Sequence, residues 1–189
     1  TLLRNIVYSD TSDTPVTTSR AISVTLQTAA GTLTSNVASL SVSATNDSPI
    51  LTAGGALVHA SESNGTLVVP SGAVGTAVSS IVGLSGITGS VGNVTDPDEA
   101  GLGAGQAKTG VNGLAVVGAD TTHGQWWYTT NGGQTWTLFA SQGTGITAAT
   151  ALHLDTSAGN RLTFVPTDAN YNGQISNALT FRAWDKSDG

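Results

Sequence analysis

No long segment of this chain repeats apolar residues at helical spacing, and 24 glycines interrupt it too often for an amphipathic helix to run far. Period-two alternation recurs instead, in short runs closed by Gly, Asn and Asp. That pattern predicts strands over 5–8, 21–27, 37–44, 66–69, 77–82, 114–117, 125–129, 135–139, 162–165 and 178–184. Many short strands between turn clusters predict an all-β chain, arranged as β-sandwiches rather than as an α/β fold.

Composition narrows the classes. The chain has 189 residues and 39% hydrophobic content, enough for one large or two small cores. Only 10% of residues are charged, so Thr, Ser, Asn and Gly must dress the surface, as suits exported β-proteins. Without cysteine there is no disulfide, thiol nucleophile or thiolate metal site. Twelve acidic residues against six basic ones give a net charge of -6, which disfavours nucleic acid and suits bound cations as stiffeners. No run approaches the ~20 apolar residues of a membrane span, and no basic-then-apolar signal segment follows Thr1. The chain therefore reads as a piece of a much longer protein.

Asn46-Asp47-Ser48-Pro49 reads as a seam between two tandem domains. Before it, Ala38, Leu40, Val42 and Ala44 alternate with Ser39, Ser41 and Ser43, giving one buried and one wet face. A carboxylate, an amide and a proline then end the pairing and offer oxygen ligands. The chain also echoes itself. Placing Arg4 over Arg161, an offset of 157 (161 minus 4), sets Ile22, Val24 and Leu26 over Leu179, Phe181 and Ala183 without a gap. On that reading 1–46 are the closing strands of one module and 47–189 are the next module lacking its last strand. The vacancy beside 178–184 invites strand donation by 36–45, from the same chain or from a neighbour.

Asp96-Pro97-Asp98-Glu99 sets two carboxylates at i and i+2 with a third adjacent. In an extended chain Asp96 and Asp98 can both face one calcium ion; an acidic turn explains the cluster equally well. Asp168, Asn170 and Asn172 alternate before Gly173, as ligands or as an Asx-rich turn.

The order of these features resembles the cadherin repeat: an Asn-Asp linker, then Glu62 followed by Asn64-Gly65-Thr66, then an Asp-x-Asp pair. The run 123–136, His-Gly-Gln-Trp-Trp-Tyr-Thr-Thr-Asn-Gly-Gly-Gln-Thr-Trp, is similar to a bacterial cadherin-like, Ig-like repeat. So are Arg161-Leu162-Thr163-Phe164-Val165-Pro166, Asn170-Tyr171-Asn172-Gly173 and Phe181-Arg182-Ala183-Trp184-Asp185. Such repeats belong to large secreted RTX-type adhesins of Gram-negative bacteria, commonly exported by type I secretion. The resemblance covers most of 47–189 and implies Ca2+ at the junction, held by Asn46, Asp47, Glu62, Asp96, Asp98 and Glu99. Asp185 would begin the following junction. The segment 102–113 reads as a Gly-rich insertion loop.

Other motifs fail on their own terms. Residues 129–136 approximate the Asp-box of sialidase-like propellers, but a propeller repeats that box in every blade and here it occurs once. A β-hairpin with an Asn-Gly turn accounts for it, with Trp126 and Tyr128 on one face. Alternation turns Trp127 the other way, outward to stack on a sugar or inward under the insertion loop. His59, His123 and His153 lack zinc-protease spacing, no Gly-x-Ser-x-Gly elbow exists, and the segment ending Lys108-Thr109 lacks the glycine of a phosphate loop. The expected function is thus non-enzymatic: a calcium-stiffened structural module of an extracellular adhesin or filament on a bacterial cell surface. Its partners would be neighbouring modules, a second copy through strand donation, and a glycan, host or biofilm surface. The alternative is a glycan- or protein-binding module using Trp127 and the insertion loop.

Overall fold

A computed structural model describes residues 7–12, 15–34, 37–58, 60–100, 113–139 and 145–186. The chain is all-β. Its centre is β9 (Gly124–Thr129), flanked on one side by β10 (Thr137–Leu138) and on the other by β12 (Arg161–Pro166), which in turn pairs with β6 (Thr76–Ala77). The β9–β12 register sets Trp126 opposite Phe164, their rings 5.1 Å apart and tilted. A second sheet has the order β11 (Leu152–Asp155), β8 (Gly113–Ala119), β13 (Leu179–Trp184).

Both sheets supply one core. Leu114 and Val116 from β8, Leu152 and Leu154 from β11, Trp126 from β9 and Leu162 from β12 join Val78, Ile81, Val82 and Phe139 in a single buried cluster. Each such aliphatic side chain taken from water is worth about 1.5–3 kcal/mol, so these strands form because their alternate residues share this interior.

The segment expected as a strand over 77–82 differs in an instructive way. After two residues of β6 it becomes a 3-10 turn, Val78–Ser80, with the Ile81 and Val82 amides donating to the Val78 carbonyl. Val78, Ile81 and Val82 are fully buried at i, i+3 and i+4, a single helical turn's spacing inside an apolar run too short to betray its period. The strand expected over 66–69 does not form: Leu67, Val68 and Val69 are 45%, 62% and 59% exposed, and β-propensity without a pairing edge does not make a strand.

Before the seam, the described residues form an antiparallel ribbon of two short ladders whose registers differ by one residue. β1 (Arg20–Ile22) pairs with β4 (Ala38–Leu40), and β2 (Thr25–Thr28) with β3 (Gly31–Thr34). The strand expected over 37–44 is paired only across β4, and its partner is β1, not β13. Residues 7 and 8 are not strand, and 5–6 lie outside the described residues. So does the expected insertion, except for Gly113, which opens β8. Beyond the seam, β5 (Ile50–Leu51) pairs with β7 (Val94–Thr95), carrying the chain onto the core beside a short helix α1 (Pro97–Ala100).

Candidate functional site

Asp96 follows β7 directly, and β7 is fixed from below by Asn93. That buried amide accepts from the Gly83 N–H and donates to the Ala53 and Ile81 carbonyls, tying three stretches of chain together. Asp96 then caps α1: its Oδ1 accepts the Asp98 N–H at 3.1 Å and its carbonyl accepts the Glu99 N–H. Pro97 occupies the first helical position, where a missing N–H costs nothing. The segment is therefore a helical turn, not the extended chain that would alternate two carboxylates toward one ion.

The seam folds back onto this turn. The Asp47 N–H donates to Asp98 Oδ2 at 2.7 Å, and Asn46 Nδ2 donates to Asp185 Oδ2 at 2.8 Å. Residues from 46–47, 96–98 and the end of β13 thus meet in one place. Asp96 and Glu99 are each 7% exposed. Burial raises the Asp96 carboxyl above its ordinary range, and the charges of Asp98, Asp185 and Glu99 push it further in the same direction.

One oxygen each of Asp96, Asp98 and Asp185 is turned onto an N–H donor. Among the described residues no group of three or more His, Asp or Glu side chains is set to hold a metal ion. The site is a meeting of carboxylates and amides with an acidic excess, and ligation would require those side chains to rotate. Glu62 falls elsewhere, exposed in the wall of a groove of about 480 Å³ with Tyr171 and Pro166, close to where Ser63 bridges Ala169.

Trp127 is not an outward platform. It is 8% exposed, so its ring is not offered to a sugar. It sits on a central strand opposite Leu138 on one side and Thr163 on the other, and directly opposed side chains pack against each other. Its indole N–H is buried with no hydrogen-bond partner, whereas that of Trp126 donates to the Asp120 carbonyl at 2.9 Å. β9 and β10 do form a hairpin, but not through a tight Asn-Gly turn: the pairing ends at Tyr128 and Thr137, Asn131 bonds Thr129 and Thr135 within the intervening loop, and it is Gly132 and Gly133 that take positive φ, of 72° and 93°.

Of the histidines, His153 lies on β11. His123 lies in the turn before β9, stacked on Tyr171 at 3.8 Å and bonded to Asp168 at 2.7 Å. His59 lies outside the described residues. That bond, with Asn170 at φ 59°, makes 168–172 a turn locked to its neighbour. Comparison with known proteins returns no family whose pattern matches this chain, no similar curated protein and no similar solved structure.

Proposed function

We propose that this chain is a structural module of a long extracellular bacterial adhesin or filament, a β-sandwich of the cadherin-like kind, stiffened by calcium at the seam and without chemistry of its own. One observation carries the reading: the seam residues Asn46 and Asp47 are bonded to Asp185 and Asp98 around the buried carboxyl of Asp96. A divalent cation there would replace carboxylate repulsion by attraction and fix the direction in which residues before the seam leave the core. Asp96, Asp98 and Asp185 would supply carboxylate oxygens. Asn46 would contribute its amide oxygen after a flip of the side chain, and Glu99 would neutralise or ligate. Neighbouring copies of such modules would be its partners, and surface attachment the role of the whole protein.

The test is thermal unfolding and small-angle scattering in calcium and in EDTA. An ion at about 100 times its Kd stabilises by about 2.7 kcal/mol, or roughly 5–10 °C for a domain of this size. Calcium should raise the midpoint by that order and narrow the distribution of molecular dimensions. Identical curves in calcium and EDTA would remove calcium from the account.

A further inference from the structure

We infer that the outer face of the three-stranded sheet is a binding site for a uronic acid, the carboxylate-bearing pyranose of acidic polysaccharides, held between Arg182 and His153. The inference stands whether or not an ion occupies the seam.

The register brings the two side chains together. His153 on β11 and Arg182 on β13 both stand opposite Ala115 of β8. Residues level with one another across a sheet share a face, so imidazole, methyl and guanidinium form one row. Their chain neighbours Leu114, Val116, Leu152, Leu154, Phe181 and Ala183 belong to the core or pack against it, which turns this row to the opposite, outer face. His153 and Arg182 are exposed, whereas Ala115 between them is only 9% exposed. A short side chain flanked by two long ones makes a notch, about 10 Å across from backbone to backbone.

Charge singles out this notch. In a chain of net charge -6 with six lysines and arginines, cations are scarce, and the others described are engaged. Arg20 meets Asp10, Lys186 meets Asp155, His123 meets Asp168, and Arg161 donates to the carbonyls of Val74 and Gly75. Among the described residues Arg182 has no carboxylate or carbonyl partner, and His153 has no acid; its ring lies 4.7 Å from that of Trp184, tilted by 49°. Asp155 shares the face two residues beyond His153, but it is already bonded to Lys186, Ser157 and Asn160. The fork of Arg182 is therefore open to a carboxylate from outside, which a planar guanidinium can meet with two parallel bonds.

The shape of the face says what that carboxylate is attached to. A depression of about 310 Å³ is lined by Ala115, Val117, Ala149 and Ala151 together with His153 and Arg182. Small-ligand sites run from about 300 to 1,000 Å³, so this one suits a single ring. Val117 is where the β8–β13 register slips by one residue, and a bulge there bends the strand and leaves that residue unpaired. Methyl groups can meet the C–H face of a pyranose, whereas an inorganic anion on Arg182 would leave them uncovered. An Asp or Glu side chain of a protein partner would reach the fork but fill little of the depression. Thr180, exposed two residues before Arg182 on the same face, adds a hydroxyl for a ring edged with hydroxyls.

Calorimetric titration of the whole chain in calcium-free buffer tests the site apart from the seam. A galacturonate trimer should bind saturably with a Kd of about 1 mM or tighter, and the neutral galactose trimer at least about tenfold more weakly. Arg182→Gln should weaken galacturonate binding by about tenfold or more and His153→Gln by about threefold or more. Both side chains are exposed, so each variant should keep its thermal midpoint within about 2 °C. Arg20→Gln removes the same charge from an arginine already paired with Asp10 and should leave the affinity unchanged. Equal affinity for the acidic and neutral trimers, an Arg182→Gln chain that binds as well as the native one, or inorganic sulfate displacing the trimer at equal concentration would each overturn the proposal. So would light scattering in which mass rises with concentration for the native chain and not for Arg182→Gln, since the face would then join two copies.

Discussion

At Asp96, burial and hydrogen bonding pull in opposite directions. As a helix cap the side chain satisfies the Asp98 amide; as a charge it is desolvated and faces Asp98, Asp185 and Glu99. Its raised pKa means that the folded state holds the proton more tightly than the unfolded state. Stability therefore falls as pH rises from the unfolded value of 3.8 through the folded one, and the whole penalty is present at neutral pH. Asp96→Asn keeps the oxygen that accepts the Asp98 N–H and removes the charge. In EDTA at pH 7 it should raise the midpoint by about 2–4 °C, the equivalent of ~1 kcal/mol, with no gain at pH 3. In calcium the same variant should lose most of the increment that the ion gives the native chain. A midpoint lowered equally in both media would mean that the cap matters more than the charge.

The two adjacent tryptophans invite a similar contrast. Replacing either by Phe removes comparable volume, but only Trp126→Phe strands an acceptor, the Asp120 carbonyl; Trp127→Phe removes a buried donor that has none. Urea unfolding should show Trp126→Phe to be the more destabilising by about 1 kcal/mol. Alternation along β9 was enough to assign these rings to opposite faces. It carries no information about what covers the outer face, and so it left both an outward and a covered Trp127 open, of which the structure has the covered one.

Among elements, the legible strands are those with both an alternating sequence and two neighbours or a deep face: β8, β9, β12 and β13 all lie where the pattern puts them. β5 and β7 are two residues each, too short to show a period, and β11 has its apolar pair, Leu152 and Leu154, in an otherwise unremarkable stretch. The β9–β10 hairpin was legible, but its loop is longer than the tight Asn-Gly turn expected, and the constraint at Gly133 was not legible. There φ is 93°, and a side chain would collide with the Gly72 carbonyl from a distant segment. Gly133→Ala should cost more than the ~1–2 kcal/mol of left-handed strain alone, read as a lower urea midpoint. Gly132→Ala, with nothing near its missing Cβ, should cost only that strain.

The end of β13 is held to β11 by Lys186 on Asp155 at 2.7 Å. Burial acts to raise the Asp155 carboxyl, but hydrogen bonds from Lys186 and Ser157 together outweigh it and lower the value. This contribution is present at neutral pH and is lost as pH falls through the lowered folded value. Lys186→Ala should lower stability from neutral pH up to about pH 9, where Asp155 is ionised and a lysine is still charged, and change little in acid below the folded value, so that the acid side of the stability profile becomes shallower.

At the scale of the whole molecule, the site was legible only in part: 46–47 and 96–98 do meet, but Asp185, expected to begin the following junction, is bonded at this seam instead, and Glu62 falls on another surface because the segment after β5 runs toward Ala169 instead of toward α1. What the order of motifs could not reveal is how unevenly the chain is buried. The ribbon strands β1 to β4 leave apolar side chains such as Ile22 and Leu26 exposed, whereas Ile50 and Leu51 pair with β7 and Leu51 packs on the core. Removing 1–44 should therefore leave the unfolding midpoint of the remainder within about 2 °C, because among the described residues it deletes ribbon contacts and no core side chain. Removing 1–52 deletes β5 as well and strips β7 of its partner beside Asp96. It should lower the midpoint by roughly 5 °C or more, since it removes the half-buried Leu51 side chain, worth up to about 1.5–3 kcal/mol, together with the β5–β7 pairing. If the shorter deletion were as damaging as the longer one, the ribbon would be part of the cooperative unit, and the boundary would lie before residue 20 rather than at the seam.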